Sequence, residues 1–453
     1  MNRDPRPALG ILATVLAAAW FTLPASAQQA KEPLLVVVSI DGMRPDYVTQ
    51  ADAHGAKVEN LRRLLKEGAY AEGVEGVVPT VTYPSHTTLV TGVWPAKHGI
   101  LSNQTFDPLG KNFDGWYWYS EDLRARTLWD AAAEAGRKTA AIQWPATVGA
   151  RIDWLIPEVW RAGTPEDSKL LRALSTPGLH KEASGELGEY RGGFDSSPEA
   201  DALRERYAEW ILERKRPGLL LLHLLELDHE EHDSGPFSRE AVAALERIDV
   251  LVGGLRRAAE KAAPGRAYLA VVSDHGFAKV DWQLNLGIAF REEKLLTLND
   301  KGKVADWKAI PWETGGSAAI MLKNPNDQDV LKTVRELLEK LAADPSNGID
   351  RVLEADELRK RGGFPGASFL VSLKPGWKTS NTTGQLVSRT AKTGGTHGEL
   401  PDLPDLRASF FVSGPGVPAG KNLGVVDMRS VAPTLAHLAG LSLPGAEGPN
   451  LLP

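Results

Sequence analysis

The segment Leu34–Ile40 (LLVVVSI) has no polar face, and a run of this kind describes a strand buried on both sides. Similar runs recur at 219–225 (LLLLHLL), 267–273 (AYLAVVS) and 408–413 (ASFFVS), each closing on a polar or glycine-rich segment as strands do in βα units. Between them, helical periodicity over 57–67, 127–135, 198–214 and 239–262 supplies the crossovers that parallel neighbours require. The expected fold is therefore α/β, with a doubly wound, mostly parallel sheet. Between residues 281 and 394 the pattern changes. A helix at 327–341 sits among short strands and loops, which reads as an inserted α+β cap subdomain. The catalytic core is then expected in two pieces, residues 28–280 and 395–453.

Residues 1–27 read as a cleaved signal peptide. Arg3 and Arg6 precede the apolar run 8–24, and Ala25-Ser26-Ala27 gives the small-x-small pattern before Gln28-Gln29. An uncleaved anchor would need roughly 20 apolar residues, more than this run supplies. Cleavage removes two arginines and Asp4, taking the net charge from −6 to −7, and leaves a mature chain with no expected transmembrane segment, periplasmic or secreted. No lysine or arginine run offers a footprint for a nucleic-acid polymer. The chain has no cysteine, which excludes disulfides, thiolate nucleophiles and cysteine-type metal sites.

In open α/β sheets, chemistry gathers beyond the carboxyl ends of the strands. Here the first strand ends in Asp41-Gly42, the 219–225 strand runs on to Asp228 with His232 four residues later, and the 267–273 strand stops at Asp274-His275-Gly276. With Gly395-Thr396-His397-Gly398 in a glycine-rich segment, these supply enough oxygen and imidazole ligands for two divalent metals such as zinc. Among the other histidines, His54, His180 and His437 read as surface residues and His223 as a core histidine inside its strand. His86 and His98 suit roles orienting ligands, and His229, beside Asp228, is expected to point away from His232.

Hydroxyl side chains are dense in the segment 79–99 (PTVTYPSHTTLVTGVWPAKHG). A helix over 86–91 following a Pro84 turn would leave Thr82 in a loop ahead of a positive helix end. Read from the residues alone, Thr82 is either a cap for that helix or a nucleophile activated by a metal.

These pieces in order resemble a known family. Asp41, Gly42 and Arg44; Thr82 to His86; Thr91 to Gly99; Asn103 and Asp107; Trp129 to Ala132; Gln143 to Pro145; Asp228 with His232; Ser273 to Gly276; and Gly395 to Gly398 together look like a nucleotide pyrophosphatase/phosphodiesterase of the alkaline phosphatase superfamily. The resemblance implies an alkaline-phosphatase-like fold and two Zn2+ per chain. Asp228, His232 and His397 would hold one ion, and Asp41, Asp274, His275 and the Thr82 oxygen the other. Thr82 would be the nucleophile, passing through a phospho-threonine intermediate, and the Asn103 amide would bind a phosphoryl oxygen. Tyr83 holds the place of an aromatic residue that stacks on a nucleobase.

Two departures bear on the substrate. Ser85 stands where many members have asparagine, and near Arg151 there is no lysine to complete the Lys-x-Arg pair of related phosphomonoesterases. The expected substrate is a small phosphodiester or nucleotide. An alkaline-phosphatase-type phosphomonoesterase is the alternative, and a non-catalytic nucleotide or headgroup binder a more distant one. The segments 116–119 (WYWY) and 154–161 could line the pocket.

Overall fold

The computed structural model describes Met1 and residues 32–453, apart from 113–114, 161–163, 191–195 and 382–383. The expected leader peptide, beyond its first methionine, thus lies outside the described residues.

Among the described residues the main sheet has eight strands: β1 (Leu34–Ile40), β2 (Ala69–Tyr70), β3 (Thr139–Ile142), β4 (Trp154–Ile156), β5 (Leu219–Leu224), β6 (Ala267–Val272), β7 (Phe410–Ser413) and β8 (Lys421–Asn422). Their spatial order is β8-β2-β7-β6-β1-β5-β3-β4. All neighbours run parallel except β7, which is antiparallel to both β6 and β2. This is the mostly parallel α/β sheet that the apolar runs imply.

Strand β1 shows why both faces must be covered. Its even-numbered residues Val36, Val38 and Ile40 enter one apolar cluster, and Leu35 and Val37 enter another on the opposite face. The first cluster is closed by α2 (Pro198–Arg214) and α4 (Arg239–Ala262), the second by α1 (Thr82–Thr91) and the helix Val431–Leu438. Each fully buried aliphatic side chain contributes about 1.5–3 kcal/mol, so a strand with two apolar faces is stable only between two layers of helix. α2 and α4 span the residues that their periodicity marks. Each starts at a serine, Ser197 or Ser238, whose hydroxyl accepts a first-turn amide.

Residues 278–396 build further sheets. Strand Ala278–Leu284 leaves the main sheet's end and Val387–Thr396 returns beside it antiparallel, pairing Thr396 with Ala278. Between them the strands Ala309–Glu313, Ser317–Leu322, Ile349–Glu354 and Ala367–Leu373 form an antiparallel four-stranded sheet. The helix expected over 327–341 runs from Gln328 to Ala343. It buries Val334, Leu337, Leu338 and Leu341, a stripe at helical spacing.

Candidate active site and metal centre

Parallel pairing of β1 with β5 and β6 brings three chain exits to one edge. Ile40 lies opposite Leu224, and Ser39 opposite Val272, so Asp41, the segment after Leu224, and Asp274-His275 emerge together. The turn at Gly42 has φ 74°, and a Cβ there would come within 2.8 Å of Glu231 Oε2, so this position needs glycine. After β5 the chain turns directly into α3 (Glu226–Ser234), where the i,i+4 spacing places Asp228 and His232 on one face. The start of α3 is held by Asp201 of α2, a fully buried carboxylate that accepts the backbone N–H groups of Leu225 and Glu226 at 3.0 Å. The returning strand Val387–Thr396 delivers His397. Gly398 beside it has φ 103°, and a Cβ would fall 1.7 Å from the Thr314 carbonyl oxygen.

Six of the seven expected ligands converge as side chains in two overlapping groups or at their rim. Asp41, Asp274 and His275 form one group and Asp228, His275 and His397 the other, with ligand atoms in each within 4.8 Å of one another. His275 Nε2 lies 3.1 Å from Asp274 and 3.4 Å from Asp41. His397 Nε2 is 3.8 Å from Asp228, and His232 Nε2 is 3.6 Å from the same carboxylate, with its ring at the more exposed rim. His275 is common to both groups and stacks on His397 with centroids 3.6 Å apart.

The protons can be placed by elimination. His232, His275 and His397 each direct Nδ1 at a backbone carbonyl, of Gly395, Gly276 and Thr80 respectively. A carbonyl only accepts, so Nδ1 carries the hydrogen. Burial lowers the His275 pKa to about 3 and holds that of His397 well below the usual histidine range, so both rings are neutral and present bare Nε2 lone pairs. These lone pairs face carboxylates. Asp41 Oδ1, Asp228 Oδ1, Asp274 Oδ2 and His275 Nε2 are buried without a hydrogen-bond partner. Burial and the neighbouring Asp274 and Asp228 push the Asp41 carboxyl well above its ordinary range. Acceptor facing acceptor in a buried cluster is costly without a cation between them. The oxygen and imidazole donors therefore fit divalent metal ions, and zinc suits that donor set.

Thr82 opens α1 instead of lying in a loop before it. The helix starts earlier than expected because Pro84 falls in the first turn, where amide groups have no intrahelical partner and a missing N–H costs nothing. All ten residues of α1 are buried; the hydroxyls of Thr87 and Thr91 bond back to Tyr83 O and Thr87 O, and that of Thr88 bonds Val93 O. Thr82 is not a cap. That position is Val81, and it makes no side-chain capping bond. Asn103 Oδ1 accepts the Tyr83 N–H at 2.9 Å, which leaves its NH2 group for another partner. Thr82, Asn103, Trp116, Trp160, Asp228, His229, His232 and His397 line one cavity of about 180 Å3, joined by Ser196 and Leu225.

Several placements differ from the sequence reading. Tyr83 is fully buried, edge-on to Trp116 at 5.4 Å, and does not line the cavity. Its wall is Trp116 stacked on Trp160, one residue from each of the two aromatic segments. His229 lines the cavity instead of pointing away. His180 is buried against Tyr190 and Ser175 rather than on the surface, because α2 packs Tyr207 over it. Ser85 is buried and Arg151 is exposed outside the cavity. His86 joins Ser39 Oγ to the Thr82 carbonyl, and its Nδ1 lies 3.5 Å from Asp274. His98 bonds Thr88 and Ile100. His223 is satisfied, but by two carboxylates, Asp41 and Glu158. The sequence reading missed Glu158, whose signal is a lone acid inside the apolar segment Ile156–Trp160.

A family model for type I phosphodiesterase/nucleotide pyrophosphatase matches residues 35–399. Human ectonucleotide pyrophosphatase/phosphodiesterase family member 1 is 26% identical over 258 residues, 54% of this chain and 23% of that protein. The match thus spans about a quarter of the relative's length. Human bis(5'-adenosyl)-triphosphatase ENPP4 is 22% identical over 415 residues, 90% of this chain and 78% of that protein. Among solved structures, an inactive variant of murine ectonucleotide pyrophosphatase/phosphodiesterase 5 in complex with AMP superposes with a TM-score of 0.64 at 20% identity. It covers 92% of this chain and 97% of its own, which establishes a shared fold.

Proposed function

The chain belongs to the type I phosphodiesterase/nucleotide pyrophosphatase family, and from that premise we propose that it is an exported, zinc-dependent hydrolase of phosphodiester or pyrophosphate bonds, with Thr82 transiently phosphorylated. The observation that carries the reading is the buried set of bare Nε2 and carboxylate atoms beside a threonine at a helix N-terminus.

Asp41, Asp274 and His275 would hold one ion, and Asp228, His232 and His397 the other. Divalent cations held there would lower the pKa of the threonine hydroxyl and neutralise charge on the phosphoryl oxygens. Thr82 Oγ forms the bond to phosphorus as the bond to the leaving alcohol or phosphate breaks. Water then cleaves the phospho-threonine and returns the hydroxyl. The N-terminus of α1 faces the negative charge that develops at Thr82, and the free Asn103 NH2 donates to a non-bridging oxygen.

No lysine stands near Arg151 to complete the Lys-x-Arg pair of related phosphomonoesterases, which favours a diester or a pyrophosphate. Trp116 and Trp160 offer a flat seat for a nucleobase, in keeping with the AMP complex of the murine neighbour. Residues 281–394 would act as the cap, and their turn at Gly316 already donates an amide to the His397 carbonyl at 2.7 Å. Export rests on residues 1–27; among the described residues no helix is long and apolar enough to cross a membrane.

Purified protein assayed on a nitrophenyl nucleotide diester and on nitrophenyl phosphate tests the substrate class. The diester should be strongly preferred, and a large excess of turnover on the monoester overturns the reading in favour of a phosphomonoesterase. Full activity with fewer than two zinc equivalents per chain overturns the two-metal mechanism.

A further inference from the structure

Behind Asp41 runs a chain of hydrogen bonds that the hydrolysis does not consume. Asp41 Oδ2 lies 3.0 Å from His223 Nε2, and His223 Nδ1 lies 2.7 Å from Glu158 Oε2, with the Gln143 carbonyl at 3.1 Å from the same nitrogen. Glu158 Oε1 accepts the indole N–H of Trp160 at 2.6 Å. Asp41, His223 and Glu158 are all at most 2% exposed. Trp160 stacks on Trp116 with centroids 5.2 Å apart and planes 21° apart, and both rings line the cavity with Thr82 and Asn103.

The geometry fixes which atom of Asp41 is offered. One oxygen is taken by His223, and the other, Oδ1, has no partner and faces His275. Nδ1 of His223 meets the Gln143 carbonyl as well as Glu158, so it carries a hydrogen and donates, while Nε2 is engaged with Asp41. Two acids and a histidine inside an apolar strand layer are not what the fold requires, since apolar residues of similar volume would pack there without charge to bury. The chain instead runs from a metal-facing carboxylate to a cavity wall.

We propose that His223 and Glu158 are positioning residues: they hold Asp41 with Oδ1 toward the metal and tie that ligand to Trp160, so that the aromatic wall and the metal site are set as one unit. The proposal rests on the reading of Asp41 as a zinc ligand. It makes Trp160 a specificity residue of the hydrolysis with an influence on metal binding that its place in the wall alone would not give.

The test compares Trp160→Phe, Glu158→Gln, His223→Gln and Asp41→Asn as purified, folded full-length proteins. Zinc affinity is measured by competition with a chromophoric chelator, beside kcat and KM on a nitrophenyl nucleotide diester. Removing a group that orients a metal ligand weakens metal binding by about 10- to 100-fold. Glu158→Gln and His223→Gln should show that loss, and excess zinc should restore most of their kcat. Trp160→Phe keeps a stacking ring but removes the indole N–H. It should raise KM and also weaken zinc binding several-fold.

If Asp41→Asn loses zinc while Trp160→Phe, Glu158→Gln and His223→Gln bind it as tightly as the parent, the proposal is overturned and His223 is only a satisfied core histidine. If Asp41→Asn keeps both zinc equivalents with unchanged affinity, the metal reading itself fails, and the proposal with it.

Discussion

The two halves of the centre are built differently. Asp41, Asp274 and His275 sit directly on strand ends, essentially inaccessible to solvent, with Gly42 N–H, His86 and His223 packed around them. Asp228, His232 and His397 come from a helix and a returning strand and face the cavity, and His232 has 42% of its side chain exposed. A strand-end group has its position dictated by sheet register. A helix-borne group depends on what anchors the helix, here the buried Asp201. The buried half is thus suited to hold the nucleophile's side of the reaction fixed, and the open half to admit substrate and water.

The largest effect should follow from Thr82, which lines the cavity beside the open half. Thr82→Ala removes the proposed nucleophile without touching either set of carboxylates, so hydrolysis should fall by several orders of magnitude while zinc is retained in part. Stopped turnover with no phosphorylated Thr82 detectable by mass spectrometry in the parent enzyme under acid quench would argue for direct attack by water instead.

The halves should then separate under chelation. In the metal-free protein Asp41, Asp228 and Asp274 face one another, and the Asp41 pKa stands well above its ordinary value of 3.8 through burial and those neighbours. The folded state therefore holds the proton more tightly than the unfolded chain. The contribution of Asp41 to the stability of the metal-free protein is therefore fully present below the unfolded value and is lost as pH rises toward the folded one. Asp41→Asn removes that loss. Its chelated form should melt above the chelated parent at neutral pH, whereas its zinc-loaded form should melt below the zinc-loaded parent, because less binding energy is available to the native state. His232→Asn, on the exposed side, should weaken zinc by about 10- to 100-fold yet change metal-free stability by no more than about 0.5 kcal/mol. Equal thermal shifts for the two variants in chelator would erase the distinction between the halves.

Much of this was legible from the residues. Continuous apolar runs placed β1, β5 and β6, and the acids and histidines that follow them are the ones that converge. What the chain order could not give was everything set by close packing across elements. Tyr83 and Trp160 are both aromatic residues near the expected pocket, and only the stacking of Trp116 decides which of them faces it. His223 in an apolar run reads as a core residue, since its two carboxylate partners lie 182 and 65 positions away. The start of α1 is not legible from Pro84, because proline suits a turn and a first helical turn equally well.

A third region serves as a control for the second. Glu313, at the end of strand Ala309–Glu313, borders a separate cavity of about 710 Å3, and burial alone raises its pKa to about 7. Like Asp41 it is an acid held above its unfolded value, so its contribution to stability falls as pH rises from about 4.5 toward about 7. Unlike Asp41 it has no carboxylate or imidazole neighbours of the metal centre around it. Glu313→Gln should therefore flatten the pH dependence of stability across that window by an amount on the order of 1 kcal/mol, measured by urea unfolding at closely spaced pH values. The change should be the same with zinc and with chelator, whereas the gain in stability from Asp41→Asn should appear only when the metal is removed. A Glu313 effect that vanished on adding zinc would mean that the inserted sheets and the metal centre are energetically coupled, and the contrast between a metal-dependent and a metal-independent buried acid would have to be given up.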